Sequence, residues 1–345
     1  MKTRQILIIL FVAVLIISGC REISVTTQVH GDGSFTRIIR ITGDSSSVFE
    51  GNLPYPVDST WEQVLLKDTS GGLKDGEDYI LTYTKRFEGG EELMTQIMQD
   101  TSWRKQLGRQ ITVTSRFGFF YSFLTFRETF QAMNPFTFLP YEEYLGPDDL
   151  LWLTGQKTVN SPSDSSRFDA VEEKAETYIV ASATAELEQI LEDGIKRLND
   201  PSLLPEEVTR FHDSIQRFVE EWEFDQPEKL IDYFRDWTGN PAIYNLLKLN
   251  PPLLGDFTKK VSAFNNLILL ETYPETVEMP GLITETNSMM LKGNQVSWEI
   301  QPLTLMFQPY EMVVESRVVN KWAFVVTGII LLLLIFVLIV KAVKK

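Results

Sequence analysis

The C-terminal tail is the sequence feature that most restricts what this chain can be. Residues 322–340 form an apolar run without a charged residue, interrupted only by Thr327 and Gly328. As a helix that rises about 1.5 Å per residue, the run covers roughly 28 Å, close to the hydrocarbon thickness of a bilayer. The tail therefore predicts one membrane-spanning helix.

The charges on either side of this run predict its orientation. Lys341, Lys344 and Lys345 follow the run, whereas Lys321 alone directly precedes it. Because lysines collect on the cytoplasmic side of membrane helices, residues 321–345 are expected to be a transmembrane helix with a short cytoplasmic tail. The rest of the mature chain would then lie on the outer side of the cytoplasmic membrane, which in a bacterial envelope is the periplasm.

The N-terminus predicts a second attachment to the same membrane. After a basic start, residues 6–17 are apolar, and Ile17-Ser18-Gly19-Cys20 ends the segment. This pattern resembles a bacterial lipobox, in which residues 1–19 are a cleaved signal peptide and the cysteine is lipid-modified. We therefore expect acyl chains, such as palmitate, on Cys20, and they would anchor the mature N-terminus.

Composition limits the part of the chain between the two anchors. Cys20 is the only cysteine, so no intramolecular disulfide can form and a packed core must stabilise the fold. Residues 20–320 contain all 47 acidic residues and 26 of the 32 basic ones, and 26 − 47 gives a net charge of −21. Such a charge argues against nucleic acid as a partner.

Hydrophobic periodicity predicts an α+β fold. Residues 22–30 and 35–42 alternate around a turn that contains Gly31 and Gly33, which is typical of a hairpin. Further strand patterns occur at residues 78–87 and 110–116 and again after residue 266. A short helix is predicted at residues 59–66, and residues 91–100 also have helical spacing.

The middle of the chain has a helical pattern from residue 140 to about residue 262. The predicted organisation is therefore a membrane-proximal α+β domain, residues 20–139 and 263–320, with residues 140–262 as a helical insertion. The sheet is expected to be mostly antiparallel and to combine N-terminal and C-terminal segments. Because the first and last strands both adjoin a membrane anchor, we also expect residues 22–29 and 310–319 to share one sheet.

Aromatic residues are concentrated in residues 116–138, which contain eight phenylalanines and one tyrosine. One interpretation is a core strand whose rings fill the space between sheet and helices. The other is an apolar groove or a surface that meets lipid or a partner chain. The candidate residues for such a surface are Phe119, Phe120, Tyr121, Phe123 and Phe126.

Motifs for catalysis or metal binding are not found in the sequence. His30 and His212 are the only histidines, and neither belongs to a metal-binding spacing. Nucleophile-elbow, phosphate-loop and EF-hand patterns are also absent. We therefore predict no catalytic residue, cofactor or metal site, although two distant carboxylates could still converge in the fold as a glycosidase-like pair.

The C-terminal part of the chain carries a resemblance to a known family. It contains Met279-Pro280-Gly281-Leu282-Ile283-Thr284-Glu285-Thr286-Asn287, then Gly293-Asn294-Gln295-Val296-Ser297-Trp298, a last strand and the membrane helix. With the lipobox and the turn Asp32-Gly33-Ser34, this ending is similar to that of the LppM-like family of bacterial lipoproteins. The resemblance implies an α+β envelope domain held at the membrane, without an enzymatic activity.

Together these features predict a non-catalytic envelope lipoprotein, anchored at both ends, whose folded part is a binding or scaffolding module. Its expected contacts are the membrane and, beyond it, an envelope protein or a lipid. One alternative is a carrier of lipid or another hydrophobic ligand that uses residues 117–138. A further alternative is a cell-wall hydrolase.

Overall fold

The computed structural model describes residues 21–45, 47–49, 53, 55–67, 78–100, 108–157, 159, 161–198, 205–221, 252–268 and 270–343. The predicted signal peptide and Cys20 lie outside these residues, as do the last two lysines. The described residues confirm the predicted α+β fold class and contain eleven strands. In chain order the strands are β1 (Glu22–Val29), β2 (Phe35–Asp44), β3 (Glu62–Lys67), β4 (Asp78–Phe87), β5 (Arg109–Phe117), β6 (Tyr121–Phe130), β7 (Tyr273–Glu278), β8 (Leu282–Thr286), β9 (Met290–Lys292), β10 (Gln295–Ile300) and β11 (Tyr310–Val319).

The helices of the described residues belong to two compact units of the chain. Unit 1 consists of Met1–Phe130, Thr272–Ile300 and Glu311–Lys345, and unit 2 of Gln131–Glu271 and Gln301–Tyr310. The α-helices are α1 (Gly90–Gln99), α2 (Pro147–Leu153), α3 (Pro162–Leu198), α4 (His212–Glu221), α5 (Pro252–Ile268) and α6 (Lys321–Val343).

Unit 1 contains a seven-stranded sheet in the order β3-β4-β2-β1-β7-β10-β9. β1 and β2 form the predicted antiparallel hairpin, whereas β1 and β7 are parallel and pair Val25 with Glu275. On β1 alternate residues are buried, so one face of the strand points to the core. The N-terminal and C-terminal segments of the chain thus meet in the centre of one sheet.

The short helix predicted at residues 59–66 was wrong, because β3 occupies most of that segment. β3 is the edge strand of the seven-stranded sheet, and Leu65 pairs with Leu81 of β4. Val64, Leu65 and Leu66 continue an extended run whose backbone hydrogen bonds come from the neighbouring strand.

A second sheet of unit 1 has four strands in the order β5-β6-β11-β8. The expectation that the first and last strands share a sheet was therefore wrong, since β1 belongs to the seven-stranded sheet and β11 to this one. Because β2 and β7 occupy both sides of β1, β11 cannot pair with β1 directly. Both strands nevertheless belong to unit 1.

Two glycines of unit 1 allow close backbone approaches. A Cβ atom on Gly90, at the start of α1, would lie 1.9 Å from the carbonyl oxygen of Ile111 on β5. Gly281 has a φ of 87°, and a Cβ atom there would lie 2.3 Å from the carbonyl oxygen of Arg317. Gly281 thereby lets the chain enter β8 directly alongside β11.

Unit 2 is helical and is organised around the long helix α3. Tyr178 of α3 donates a hydrogen bond to the carbonyl oxygen of Phe136 at 2.7 Å, and its ring contacts Phe307 with centroids 5.8 Å apart. Phe136 is fully buried and also contacts Phe257 and Phe264 of α5. The end of the aromatic stretch is therefore part of the core of unit 2.

Helix α6 is long and apolar enough to cross a membrane. Most of its side chains are exposed, and only Ala323 is buried. At about 1.5 Å per residue, its 23 residues extend over roughly 34 Å, enough for the hydrocarbon layer of a bilayer.

Candidate membrane-facing site

The turn between β5 and β6 lies against the start of α6. Asn320, directly before the helix, donates three hydrogen bonds to the turn. Its backbone N–H donates to the carbonyl oxygen of Phe120 at 2.9 Å. Its side-chain amide donates to the carbonyl oxygens of Gly118 at 2.7 Å and Phe119 at 3.3 Å. The hydroxyl of Ser122 donates to Asn320 Oδ1 at 3.0 Å. Residue 320 thus holds the turn and the helix together.

Aromatic rings from the turn and from the helix surround this junction, and we call them the aromatic collar. Phe117 stacks on Trp322 with ring centroids 6.2 Å apart and an interplanar angle of 5°, and Phe119 meets the same ring edge-on at 5.4 Å. Phe120 contacts Phe324 at 4.9 Å. The collar consists of Phe117, Phe119, Phe120, Tyr121, Trp322 and Phe324.

The collar rings contact one another and still remain open to the surroundings. Phe117 is 67% exposed, Phe119 47% and Trp322 50%. Large apolar side chains that cluster and stay exposed mark a surface that meets another apolar phase or a partner. The collar is therefore the strongest candidate for a functional surface in unit 1.

Basic side chains lie beside the collar. The Arg317 guanidinium stacks over the Tyr121 ring at 4.6 Å, and that of Arg116 over the Phe123 ring at 4.3 Å. Lys321, the first residue of α6, is exposed. Within an acidic folded part, these three cations lie where the chain enters the apolar helix.

The five candidate residues predicted from the sequence do not share one environment. Phe119, Phe120 and Tyr121 belong to the collar, and Phe123 is half-buried under Arg116. Phe126 is fully buried and contacts Phe35 of β2 with centroids 6.4 Å apart. The structure brings the first three together and places Phe126 in the core.

Sequence reasoning missed a cluster of charged side chains that lies fully buried between the two sheets of unit 1. Arg37 of β2 forms two hydrogen bonds to Glu128 of β6, at 2.7 and 3.3 Å, and lies 3.3 Å from Glu275 of β7. Arg109 of β5 lies 3.5 Å from Glu128. The cluster therefore links both sheets by ion pairs.

Two tyrosines complete this buried cluster. The hydroxyl of Tyr55 donates to the Glu275 carboxylate at 2.9 Å, and its ring contacts the guanidinium groups of Arg37, at 4.4 Å, and Arg109, at 3.9 Å. Arg109 also approaches the Tyr273 hydroxyl at 3.5 Å. Cation–π contacts and hydrogen bonds thus surround the ion pairs.

The two carboxylates of the cluster have opposite pKa shifts. Burial raises the pKa of Glu275, and the negative charge of Glu128 raises it further, to about 7. Burial also opposes ionisation of Glu128, but the attraction of Arg37 and Arg109 outweighs it and holds the pKa of Glu128 below its ordinary value. Glu128 is therefore the firmly ionised partner of the arginines.

A signal for this cluster exists in the sequence. On β2, Arg37 alternates in phase with Phe35 and Ile39, and on β6, Glu128 alternates in phase with Phe126 and Phe130. A charge in the apolar phase of a strand has to point into the core and needs a buried partner there. The phase predicts the burial of each charge but not which charges meet.

Metal-ligating side chains do not assemble in the part of the chain that the structure describes, where no group of three or more His, Cys, Asp or Glu residues could hold a metal ion.

Comparisons with known proteins add little to this geometry. No protein-family model matches the chain, and no curated protein matches it. Among solved structures, the NMR structure of the LppM folded domain of Mycobacterium tuberculosis matches with a TM-score of 0.27 and 9% sequence identity. The match covers 88% of this chain and 94% of that one. A TM-score of 0.27 does not establish a shared fold.

Proposed function

We propose that this protein is a non-catalytic envelope lipoprotein, held in the cytoplasmic membrane at both ends, whose folded part is a binding or scaffolding module on the outer side. The observation that carries the proposal is the junction at Asn320. Hydrogen bonds join this residue to the β5–β6 turn directly before α6, so no flexible tether separates the four-stranded sheet of unit 1 from the helix. A module attached in this way keeps a fixed orientation on the bilayer.

Charge supports the outer position of the module. Three lysines lie within the last five residues of the chain, whereas residues 20–320 have a net charge of −21 from 26 basic and 47 acidic residues. The positive-inside tendency favours a cytoplasmic C-terminus for α6. The acyl chains expected on Cys20 would then lie in the outer leaflet of the same membrane.

The environment of the buried carboxylates supports a non-catalytic role. Glu128 and Glu275 come close enough to interact, as an acid–base pair would, but both side chains are completely buried and bound to arginine or tyrosine. A substrate could reach them only if the two sheets separated. This observation disfavours the cell-wall hydrolase.

The aromatic stretch supports a module rather than a carrier of hydrophobic ligands. Phe126, Phe130 and Phe136 are fully buried and fill cores, and the exposed rings near the turn contact α6. Rings that line a ligand cavity would be expected to face a common space.

Removal of the two anchors tests the membrane part of the proposal. The variants are Cys20→Ala, deletion of residues 321–345, and a double variant that combines this deletion with replacement of residues 1–20 by a signal peptide that is cleaved without lipidation. We expect each single variant to stay in the membrane fraction and the double variant to become soluble. Release by a single change would show that the other anchor does not exist.

Photo-crosslinking in intact cells tests the scaffolding part. A photoreactive amino acid at Met98, which is well exposed on α1, should trap the same neighbours in the wild-type chain and in each single-anchor variant. A scaffold depends on its position, so the soluble double variant at matched abundance should lose these cross-links. If a cell that lacks the protein were fully complemented by the soluble variant, scaffolding at the membrane would be contradicted.

A further inference from the structure

We propose that the tip of the β5–β6 hairpin is itself a membrane-binding surface, and that Phe117, Phe119 and Phe120 insert into the boundary between headgroups and acyl chains beside α6. This inference rests on the proposed function, because it requires that α6 crosses the bilayer. It adds a third point of membrane contact, made by the folded unit. The occupant of the surface is lipid.

The position of the rings relative to the helix carries the argument. The hairpin rings contact Trp322 and Phe324, which are the second and fourth residues of α6. Phe324 lies about 4.5 Å along the axis from the start of the helix. If α6 spans the membrane, the hairpin rings must therefore lie level with its first turn, at the depth where tryptophan and tyrosine side chains form an interfacial belt.

The hydrogen bonds of Asn320 keep the rings at this depth. The backbone N–H of Asn320 donates to Phe120, and its side-chain amide donates to Gly118 and Phe119, so all three partners lie within the turn. The turn cannot withdraw from the first residues of the helix unless these hydrogen bonds break. Hairpin and helix therefore reach the bilayer together.

Exposure and charge identify lipid as the occupant. The outward faces of the collar rings stay exposed although the rings contact α6, and α6 exposes almost all of its own side chains to the same surroundings. Arg317 and Lys321 lie at the rim of the collar, where they can pair with lipid phosphates while the rings meet acyl chains. Arg116 lies beside them and also forms an exposed ion pair with Glu315 at 4.0 Å. The hairpin tip thus has apolar rings that can contact acyl chains and basic side chains that can contact headgroups, and it directly adjoins the helix that would span the membrane.

Fluorescence quenching by lipids tests the proposal on the full-length chain in vesicles of phosphatidylcholine and phosphatidylglycerol. An environment-sensitive label is attached to Phe119→Cys in a Cys20→Ala background, and the vesicles carry lipids brominated near the headgroup. We expect these lipids to quench the label strongly and its emission to shift to shorter wavelength.

Met289→Cys is the matched control, an exposed apolar residue in unit 1 that follows β8. Its neighbour Asn287 donates to the carbonyl oxygen of Glu311, at the opposite end of β11 from Asn320. Nine positions of extended strand correspond to about 30 Å. A label at Met289 should therefore escape quenching by lipid and remain accessible to iodide in the water.

A third label at Leu331, near the middle of α6, separates the two proposals. If lipids brominated near the chain ends do not quench this label, α6 does not span the bilayer and the proposed function fails. If Leu331 is quenched and labels at Phe119 and Phe117 are both not quenched, only the hairpin proposal is overturned. A Phe119 label that is shielded from iodide but not quenched by lipid would point to a second protein chain as the occupant and would also overturn it.

The Phe117→Cys variant guards against a misfolded hairpin. Phe117 is the more exposed ring, so its replacement disturbs the turn less. Quenching at both positions supports insertion, and loss of quenching at both, with Leu331 still quenched, contradicts it.

Discussion

The β5–β6 hairpin has similar aromatic residues at its open end and at its turn, and they lie in different surroundings. At the open end Phe126 and Phe130 are fully buried, next to the ion pairs that join the two sheets. At the turn Phe117 and Phe119 are exposed and contact α6. All four residues are phenylalanines, so the element that packs against each ring determines whether the ring is buried in the core or exposed at the surface.

The largest expected effect separates the two ends by stability. Phe126→Ala should lower the free energy of unfolding by about 4 kcal/mol, because it opens a cavity in a closed core. Phe119→Ala should change it by less than about 0.5 kcal/mol, because that ring is half exposed and borders no closed core. Chemical denaturation of the full-length chain in detergent micelles measures both. Equal losses would contradict the division of the hairpin into a core end and a surface end.

A second prediction uses two neighbouring residues on opposite faces of β6. Glu128→Gln should cost about 3 kcal/mol, since it leaves Arg37 and Arg109 buried with too little negative charge. Arg127, the preceding residue, forms an exposed ion pair with Glu311, and Glu311→Gln should cost less than about 1 kcal/mol. The same denaturation experiment compares them, and a larger loss for Glu311→Gln would show that the buried pairs do not hold the sheets together.

A third prediction concerns pH at the buried end. The pKa of Glu275 is raised from its ordinary 4.5 to about 7, so between these values the folded chain keeps a proton that the unfolded chain has lost. Stability must therefore fall as the pH rises through this window. Glu275→Gln should remove that part of the pH dependence.

The readout for this variant is the difference in Tm between variant and wild type from pH 5 to pH 8, in which titrations common to both proteins cancel. The difference should grow in favour of Glu275→Gln as the pH rises. Parallel curves would mean that Glu275 is not held protonated by the fold. The pKa of Glu128 lies below its ordinary value, so Glu128 affects the pH dependence of stability only at pH values below this window.

The fourth prediction concerns the hydrogen bonds at the turn. Asn320→Ala removes two hydrogen bonds donated by the amide and one accepted from Ser122, and should cost about 1 to 2 kcal/mol. A spin label at Phe117→Cys should become more mobile in this variant. Asn320→Asp provides the control, because it keeps the acceptor for Ser122 but turns an oxygen toward the carbonyl oxygens of Gly118 and Phe119. A wild-type mobility in Asn320→Asp would show that the amide does not hold the turn.

Local patterns predicted much of this fold. Alternation identified the β1–β2 hairpin, and the uncharged run predicted a helix long enough for a membrane. Pattern could not assign strands to sheets, because partner choice depends on which edges are already occupied. β11 therefore belongs to the second sheet, although the sequence predicted that it shares a sheet with β1.

The candidate site could be predicted from the sequence only in part. The density of aromatic residues drew attention to the right stretch, but Phe119 and Phe126 differ in burial for reasons that lie elsewhere in the chain: α6 for one and β2 for the other. The buried cluster depends on long-range contacts in the same way. Arg37 and Glu128 are 91 positions apart, and no local pattern connects them.

The parallel pairing of β1 with β7 has a consequence for how the chain is made. Val25 pairs with Glu275, so the central neighbour of the first strand is synthesised 250 positions later. During synthesis one edge of β1 therefore stays open while the first part of unit 2, Gln131–Glu271, emerges, and closing so long a loop slows the final assembly. An open strand edge is prone to pair with other chains. The lipid anchor proposed for Cys20 would limit such pairing, since it would hold β1 close to the membrane until the last strands are synthesised.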